Sequence, residues 1–410
     1  MKILVLSNNP LSESNSNGRT MLNMLNNFSK DEIVNIYING NAPAFNKAKF
    51  YKVKESLLLK FFYKGKIVQE VIKENNISVT NRKSVKTPFK CIIRSTIWKK
   101  KKLYKELCDI VKLQNPDCIV VQCGDSNFLN NIAVKLSNVF DKSLFAFNSE
   151  DYIFKTWDYI KKRNRRGIFY KLFFKTLTKS YNNLYSSIKS CIYLTPYLEE
   201  MYLNKYPNHK SHVIYNSSFL KPITNYNQSG DFVYSGNIGV GRTASLINIS
   251  KEIHKIFNKK LVIYSLSDDK KLIDALNKCD SIDFRGKLSY EDNIEALRNA
   301  KLVIHCENFD DYYIKDTAHS FSTKIADCLS LQIPFLVFAP ESSSIYNYIL
   351  KNDCAFASKS LNEVSAEFSK IKNNTNYILG KLKNASICSS LNHDAFNNSK
   401  RFYEIISDIH

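Results

Sequence analysis

A chain of 410 residues, 44% hydrophobic and with a formal net charge of +21, is too long for one ordinary core and too apolar to be disordered. No stretch reaches the roughly 18 uninterrupted apolar residues that a membrane span needs. The excess of positive charge requires an anionic partner or a large solvated face.

Met1-Lys2-Ile3-Leu4-Val5-Leu6 ends at polar Ser7-Asn8-Asn9, which reads as a first buried strand and not as a secretory signal. Strands are predicted at Lys2–Ser7, Ile33–Ile38, Asp117–Cys123, Ser143–Asn148, Cys191–Thr195 and His212–Asn216. Helices are predicted between them, among others at Asn127–Leu136 and at Pro196–Tyr206, which has proline in its first turn. Ala44–Lys102 is less regular and reads as an insertion or an acceptor-facing region. Asn216–Gly230 has linker composition. A second series follows, with strands at Asp231–Ser235, Leu261–Ser265, Ser281–Phe284, Lys301–Cys306, Pro334–Phe338 and Cys354–Ala357. Thr243–Phe257 is helical, with Leu246, Ile249, Ile253 and Phe257 on one face, and Asn392–Ile409 forms a helical tail. Strand–helix alternation of this kind predicts parallel, doubly wound sheets. The expected domains are 1–216, a linker at 217–230, a second domain at 231–385 and a tail at 386–410.

The basic residues cluster in the first half. Trp98-Lys99-Lys100-Lys101-Lys102 is one run, and Lys161-Lys162-Arg163-Asn164-Arg165-Arg166 is another. The second leads into Ile168-Phe169-Tyr170-Lys171-Leu172-Phe173-Phe174-Lys175, where aromatics and lysines interleave. On a helix, apolar stems could enter an interface while lysines meet headgroups. An anionic membrane surface is the expected partner, rather than nucleic acid; a solvated face is the plainer alternative. The ten cysteines form no C-x-x-C pair, and most sit in or beside apolar runs. They read as small buried hydrophobes of a reducing compartment.

Two segments carry phosphate chemistry. Ser322 is a good N-cap before a helix opening with Thr323 and Lys324. Such a helix start presents free N–H groups and a positive dipole end to an anion. Lys324 runs against the dipole's preference for acids there, which a bound anion would offset. Gly236-Asn237-Ile238-Gly239-Val240-Gly241-Arg242 follows a strand and opens a helix. Its glycines permit close approach of backbone to phosphate, and Arg242 offers a bidentate fork. A plain capped helix and a plain tight turn are the competing readings. The spacing is G-x-x-G-x-G, so it does not fit the dinucleotide fingerprint.

The order of elements resembles the GT-B glycosyltransferases, especially the family 4 group. Pro116–Val121 looks like the strand ending in the family's first-domain cleft, and His212-Val213-Ile214-Tyr215-Asn216 like the strand entering its linker. Phe232–Asn237 is similar to its second-domain opening strand and glycine turn. Phe284–Ser289 and Leu297–Ile304 look like its next conserved segment. The resemblance implies an α/β GT-B fold: two Rossmann-like doubly wound domains facing a cleft, with a C-terminal helix packing back on the first. Against the donor signature E-x7-E-A-x-A-x-G-x-P, Pro334 matches the proline and Asp327 the second acid, while His319 replaces the first acid and Gln332 the glycine. That implies Asp327 and His319 as nucleoside-binding positions. The family's first glycine loop implies Gly18 and Arg19 as contacts to acceptor or transferred sugar.

An inverting transferase needs a base, a retaining one none; the candidates are Asp125, Glu150 and Asp151, each following a first-domain strand, with a helix-start cap or solvated carboxylate as the plainer reading of each. Glu307 faces the donor side by the same logic. No D-x-D triplet occurs, so no obligatory metal and no cofactor beyond the nucleotide-sugar co-substrate is expected. The expectation is a cytoplasmic, metal-independent transferase, peripheral on the inner membrane face. It would move sugar from a nucleotide-sugar donor to a glycan or lipid-linked glycan in surface polysaccharide assembly. A GT-B nucleotide-sugar epimerase and a non-catalytic GT-B-like partner protein remain alternatives.

Overall fold

The computed structural model describes residues 1–13, 16–40, 47–55, 65–70 and 86–408, and it divides into two compact units. Much of the stretch expected to be irregular after Ala44 therefore lies outside the described residues, as do Ser14, Asn15 and Ile409 of the expected loop and tail. Unit 1 comprises Met1–Tyr215 and Phe396–His410, and unit 2 comprises Asn216–Ala395.

Unit 1 holds β1 (Ile3–Ser7), α1 (Ser16–Met24), β2 (Ile33–Tyr37), β3 (Lys49–Glu55), β4 (Gly65–Glu70), α2 (Pro88–Ile97), α3 (Lys101–Gln114), β5 (Cys118–Gln122), α4 (Asn127–Phe140), β6 (Ser143–Asn148), α5 (Ile168–Tyr185), β7 (Ser190–Tyr193), α6 (Pro196–Lys205) and β8 (Lys210–Val213). The sheet order is β4-β3-β2-β1-β5-β6-β7-β8, parallel except where β4 pairs antiparallel with β3. Every residue of β1, β2 and β5 is buried, as apolar runs covered by helices on both faces require. Helix starts follow local chemistry: Thr87 and Thr195 accept from Lys90 N and Leu198 N at 3.2 Å, each followed by proline. The strand expected at His212–Asn216 lies earlier, because beyond Val213 the backbone leaves the sheet and Asn216 Nδ2 donates to the Phe321 carbonyl (2.7 Å).

Unit 2 holds β9 (Asp231–Ser235), α7 (Arg242–Phe257), β10 (Leu261–Tyr264), α8 (Lys270–Asn277), β11 (Ile282–Gly286), α9 (Tyr290–Arg298), β12 (Ala300–Cys306), α10 (Asp311–Thr317), α11 (Thr323–Leu331), β13 (Phe335–Phe338), α12 (Ser344–Asn352), β14 (Phe356–Ser358), α13 (Leu361–Asn373) and α14 (Thr375–Cys388). Its parallel sheet runs β11-β10-β9-β12-β13-β14. The core is built on Phe232, Tyr234, Leu246, Ile249 and Leu302. The Ser217–Gly230 stretch belongs to this unit, with Ser218 N donating to the His393 carbonyl and Ile223 N to the Leu331 carbonyl. The last helix, α15 (Ala395–Ser407), buries Phe402 and Ile406 in the core of unit 1, and Asn398 Nδ2 donates to the Tyr215 carbonyl (3.1 Å).

Each sheet reverses its winding once, between β1 and β5 in unit 1 and between β9 and β12 in unit 2. In open parallel sheets ligands bind beyond the carboxyl ends of strands at such a switch point.

Candidate functional site

In unit 2 the switch point brings together the two segments singled out for phosphate. β9 ends at Ser235, and the chain turns through Gly236 (φ 151°), Val240 (φ 56°) and Gly241 (φ 72°) into α7. Asn237 Oδ1 accepts from Gly239 N (2.8 Å), and Tyr234 Oη donates to the Asn237 carbonyl (2.6 Å), so the turn is pinned on both sides. A side chain at Gly236 would collide with Lys324 Nζ, and one at Gly241 with the Asn308 amide. Those two positions require glycine for both space and backbone conformation.

Facing the turn, α11 begins at Thr323, with Ser322 Oγ accepting from Lys324 N (3.3 Å). Lys324 extends to β9, where Nζ donates to the Ser235 carbonyl (2.7 Å) and lies 4.8 Å from the Tyr234 ring centroid. Burial, with Arg242 adding like charge, lowers the Lys324 pKa to about 8. A cation in this setting is under-compensated, and a phosphate beside it would restore its charge.

Arg242 departs from expectation. Its fork is engaged with Glu307 at the end of β12: Nε to Oε2 is 3.1 Å and Nη2 to Oε1 is 2.8 Å. Burial alone would raise the Glu307 pKa, but His305 and Arg242 beside it hold it down to about 2. His305 Nε2 lies 3.2 Å from Glu307 Oε1, and burial keeps this imidazole neutral by lowering its pKa. Arg242 is thus an anchor that ties the glycine turn to β12 rather than an open bidentate face. Asp327 is also turned inward: it is buried within α11 and accepts from Ser218 Oγ (2.9 Å). His319 sits half-buried between α10 and α11.

In unit 1 the switch point opens on a cavity of about 760 Å³ at the ends of β1, β2, β5 and β6. Asp125 and Glu150 line it. Asp125 Oδ2 is ion-paired with Lys86 and accepts from Tyr159 Oη (3.2 Å). Asp151 does not belong to this set. Its carboxylate is buried and paired at 3.1 Å with Lys155 Nζ, which itself lies over the Trp157 and Tyr159 rings. Gly18 and Arg19 are not in a loop: both fall in the first turns of α1, where Thr20 Oγ1 bonds the Ser16 carbonyl and Gly18, Met21 and Leu22 are buried. The buried face formed by those residues winds the segment into helix.

Sequence reasoning missed the cavity's cations, Lys52, Lys86, Lys90 and Arg94. The spacing of Lys90 and Arg94, one helical turn apart, was the available signal. Among the described residues, no cluster of three His, Cys, Asp or Glu side chains is placed to hold a metal ion.

Tandem Rossmann-like units define the GT-B architecture, and solved glycosyltransferases share it with this chain. Anabaena HepE in complex with UDP superposes with a TM-score of 0.66 at 10% identity, covering 99% of this chain and 100% of that one. Sucrose-phosphate synthase from Thermosynechococcus elongatus gives 0.66 at 9% identity, covering 99% and 98%. A glycosyltransferase from Rickettsia africae gives 0.58 at 12% identity, covering 100% and 98%. No protein-family profile matches the chain, and no curated protein matches it in sequence.

Proposed function

We propose that this chain is a glycosyltransferase of the family 4 type that takes sugar from a uridine or related nucleoside diphosphate donor bound in unit 2. The observation that carries this reading is the Lys324 amine, held against Ser235 and Gly236 beside the first turn of α11. Amides, a helix dipole and a partly desolvated cation converge where a leaving diphosphate would develop charge. Neighbours of this fold crystallise with UDP and UDP-glucose, which supports the same donor class here. Charge on the leaving group is met by Lys324 and the dipole of α11, and we assign no metal to the reaction.

The acceptor is a glycan or lipid-linked glycan of surface polysaccharide assembly, bound in unit 1, with Asp125 or Glu150 as base. An apolar face on α2 and α5 supports attachment to the inner membrane surface. Ile168 is 78% exposed, Phe169 and Phe89 are each 52% exposed, and no acidic residue lies between Asp158 and Glu199.

Isothermal calorimetry with UDP tests the donor assignment. The wild type is expected to bind, and Lys324→Gln to bind at least about tenfold more weakly, roughly 1.4 kcal/mol. Equal affinity of the two proteins would sink the assignment, as would absence of binding to uridine, guanosine and thymidine diphosphates alike.

A further inference from the structure

We propose that His393 is a positioning residue of the donor site: through Asn216 and Phe321 it fixes the point at which α11 begins, and so the direction in which Ser322 and Lys324 meet a diphosphate. This rests on the reading of unit 2 as the donor site and adds a residue behind it that sets its geometry.

His393 lies just before α15, completely buried within unit 2. Its backbone is held by Ser218 N, which donates to the His393 carbonyl (3.0 Å). Its Nδ1 stands 2.6 Å from the Asn216 carbonyl. A carbonyl only accepts, so Nδ1 carries the proton and donates. Nε2 of the uncharged ring is then an acceptor, and the Tyr348 hydroxyl, 2.7 Å away, donates to it. That hydroxyl oxygen in turn accepts from Asn392 Nδ2 (3.1 Å). Two bonds therefore fix both the tautomer and the rotation of the imidazole.

Asn216 carries the constraint onward. Its Nδ2 donates to the Phe321 carbonyl (2.7 Å). That carbonyl precedes the helical ladder of α11, which opens with Ile325 N donating to the Ser322 carbonyl (3.1 Å). The Phe321 ring stacks on the His393 ring, with centroids 5.7 Å apart and planes at 13°, and it meets Tyr348 edge-on at 5.0 Å. Residues distant in sequence thus close a cycle: imidazole to Asn216 carbonyl, Asn216 amide to Phe321 carbonyl, Phe321 ring to imidazole. An apolar side chain at 393 would serve burial as well. Two directed bonds and a stacked face specify one orientation of Phe321 instead. Ser322, the next residue, caps Lys324 N, and Lys324 Nζ reaches the Ser235 carbonyl (2.7 Å). A rotation at Phe321 passes to that cap and, through the first turn of α11, to the amine. Groups that meet reacting charge are sensitive to such shifts, about 1 Å costing up to about 100-fold.

The test compares UDP with uridine by calorimetry on the full chain, uridine by competition against UDP. The ratio of the two affinities reads the diphosphate's contribution, and a general loss of stability does not move it. His393→Phe keeps a ring against Phe321 and removes both hydrogen bonds. It is expected to lower the UDP-over-uridine ratio at least about tenfold while uridine affinity stays unchanged. Asn216→Leu keeps the carbonyl that His393 meets and removes the amide that holds Phe321. It should lower the ratio in the same way, and it serves as the test if His393→Phe does not fold. His393→Asn, whose Nδ2 stands close to the place of Nδ1, is expected to retain the ratio. A wild-type ratio in folded His393→Phe or Asn216→Leu protein overturns the proposal, as does equal loss in His393→Asn and His393→Phe. Wild-type protein that binds no nucleoside diphosphate sinks the donor reading itself, whereas wild-type binding beside variants of unchanged ratio sinks only the role of His393.

Discussion

Lys324 places its amine where burial and Arg242 both oppose its charge, and the consequence is a pH dependence that can be measured. Its pKa falls to about 8, against about 10.4 for a free lysine. Between those values the unfolded chain holds a proton that the folded chain has released. Unit 2 therefore gains stability as pH rises through that window, and the cost of keeping the amine charged is present below it. A bound diphosphate reverses the preference by favouring the cation. UDP affinity is expected to be highest below about pH 8 and to fall as pH climbs past it, whereas Lys324→Gln should give a nearly flat profile between about pH 7 and 9. Calorimetry across that range checks this; a wild-type profile as flat as the variant's would remove Lys324 from the site. The N-cap Ser322 and the position of Lys324 were legible in the sequence because capping is a local rule. The partner of Arg242 was not. Glu307 lies far along the chain, and only the pairing of β12 with β9 brings it to the glycine turn. The burial of Asp151 was hidden for the converse reason: its partner Lys155 is close in sequence, but nothing local showed that both would be buried.

At the level of elements, α2 and α5 carry opposite chemistries on adjacent faces. α2 lends Lys90 and Arg94 to the cavity and exposes Phe89 and Ile93, while α5 exposes Ile168, Phe169 and Leu172 among Lys171 and Lys175. Phe89 meets Phe169 edge-on at 5.3 Å, so the two helices present one continuous apolar surface. If that surface enters the headgroup region of an anionic bilayer, removing two large side chains costs about 2 kcal/mol or more. Ile168→Ser/Phe169→Ser is expected to weaken sedimentation with phosphatidylglycerol vesicles at least tenfold (about 1.4 kcal/mol per tenfold) while leaving UDP affinity intact. Binding that is equal for both proteins, or equal on neutral phosphatidylcholine vesicles, would rule out this mode of attachment. The aromatic and basic interleaving of α5 was readable in advance. α2 and β3 were not, because β3 alternates Lys49, Lys52 and Lys54 with apolar residues near a sheet edge, and α2 is a short helix among basic runs. Buried strands such as β5 and β9 read clearly, since both faces demand an unbroken apolar run.

Across the whole molecule the chain builds two sheets with separate cores, and leaves the second unit only when α15 returns to the first. The doubling was legible because strand–helix alternation restarts after Gly230, whereas the strand order that creates each switch point follows from long-range pairing that no local pattern shows. With separate cores, a ligand stabilises first the unit that binds it. At a free concentration of about 100 times its Kd, a ligand adds about 2.7 kcal/mol to the state it binds. Amides that exchange with solvent through opening of that unit should then slow about 100-fold. UDP is therefore expected to slow hydrogen exchange in β9, β12 and the first turns of α7 and α11, with little change in β1 and β5. Slowing confined to unit 1 would reassign the donor site. One exchange experiment thus reads the donor site in unit 2 with unit 1 of the same protein as its control.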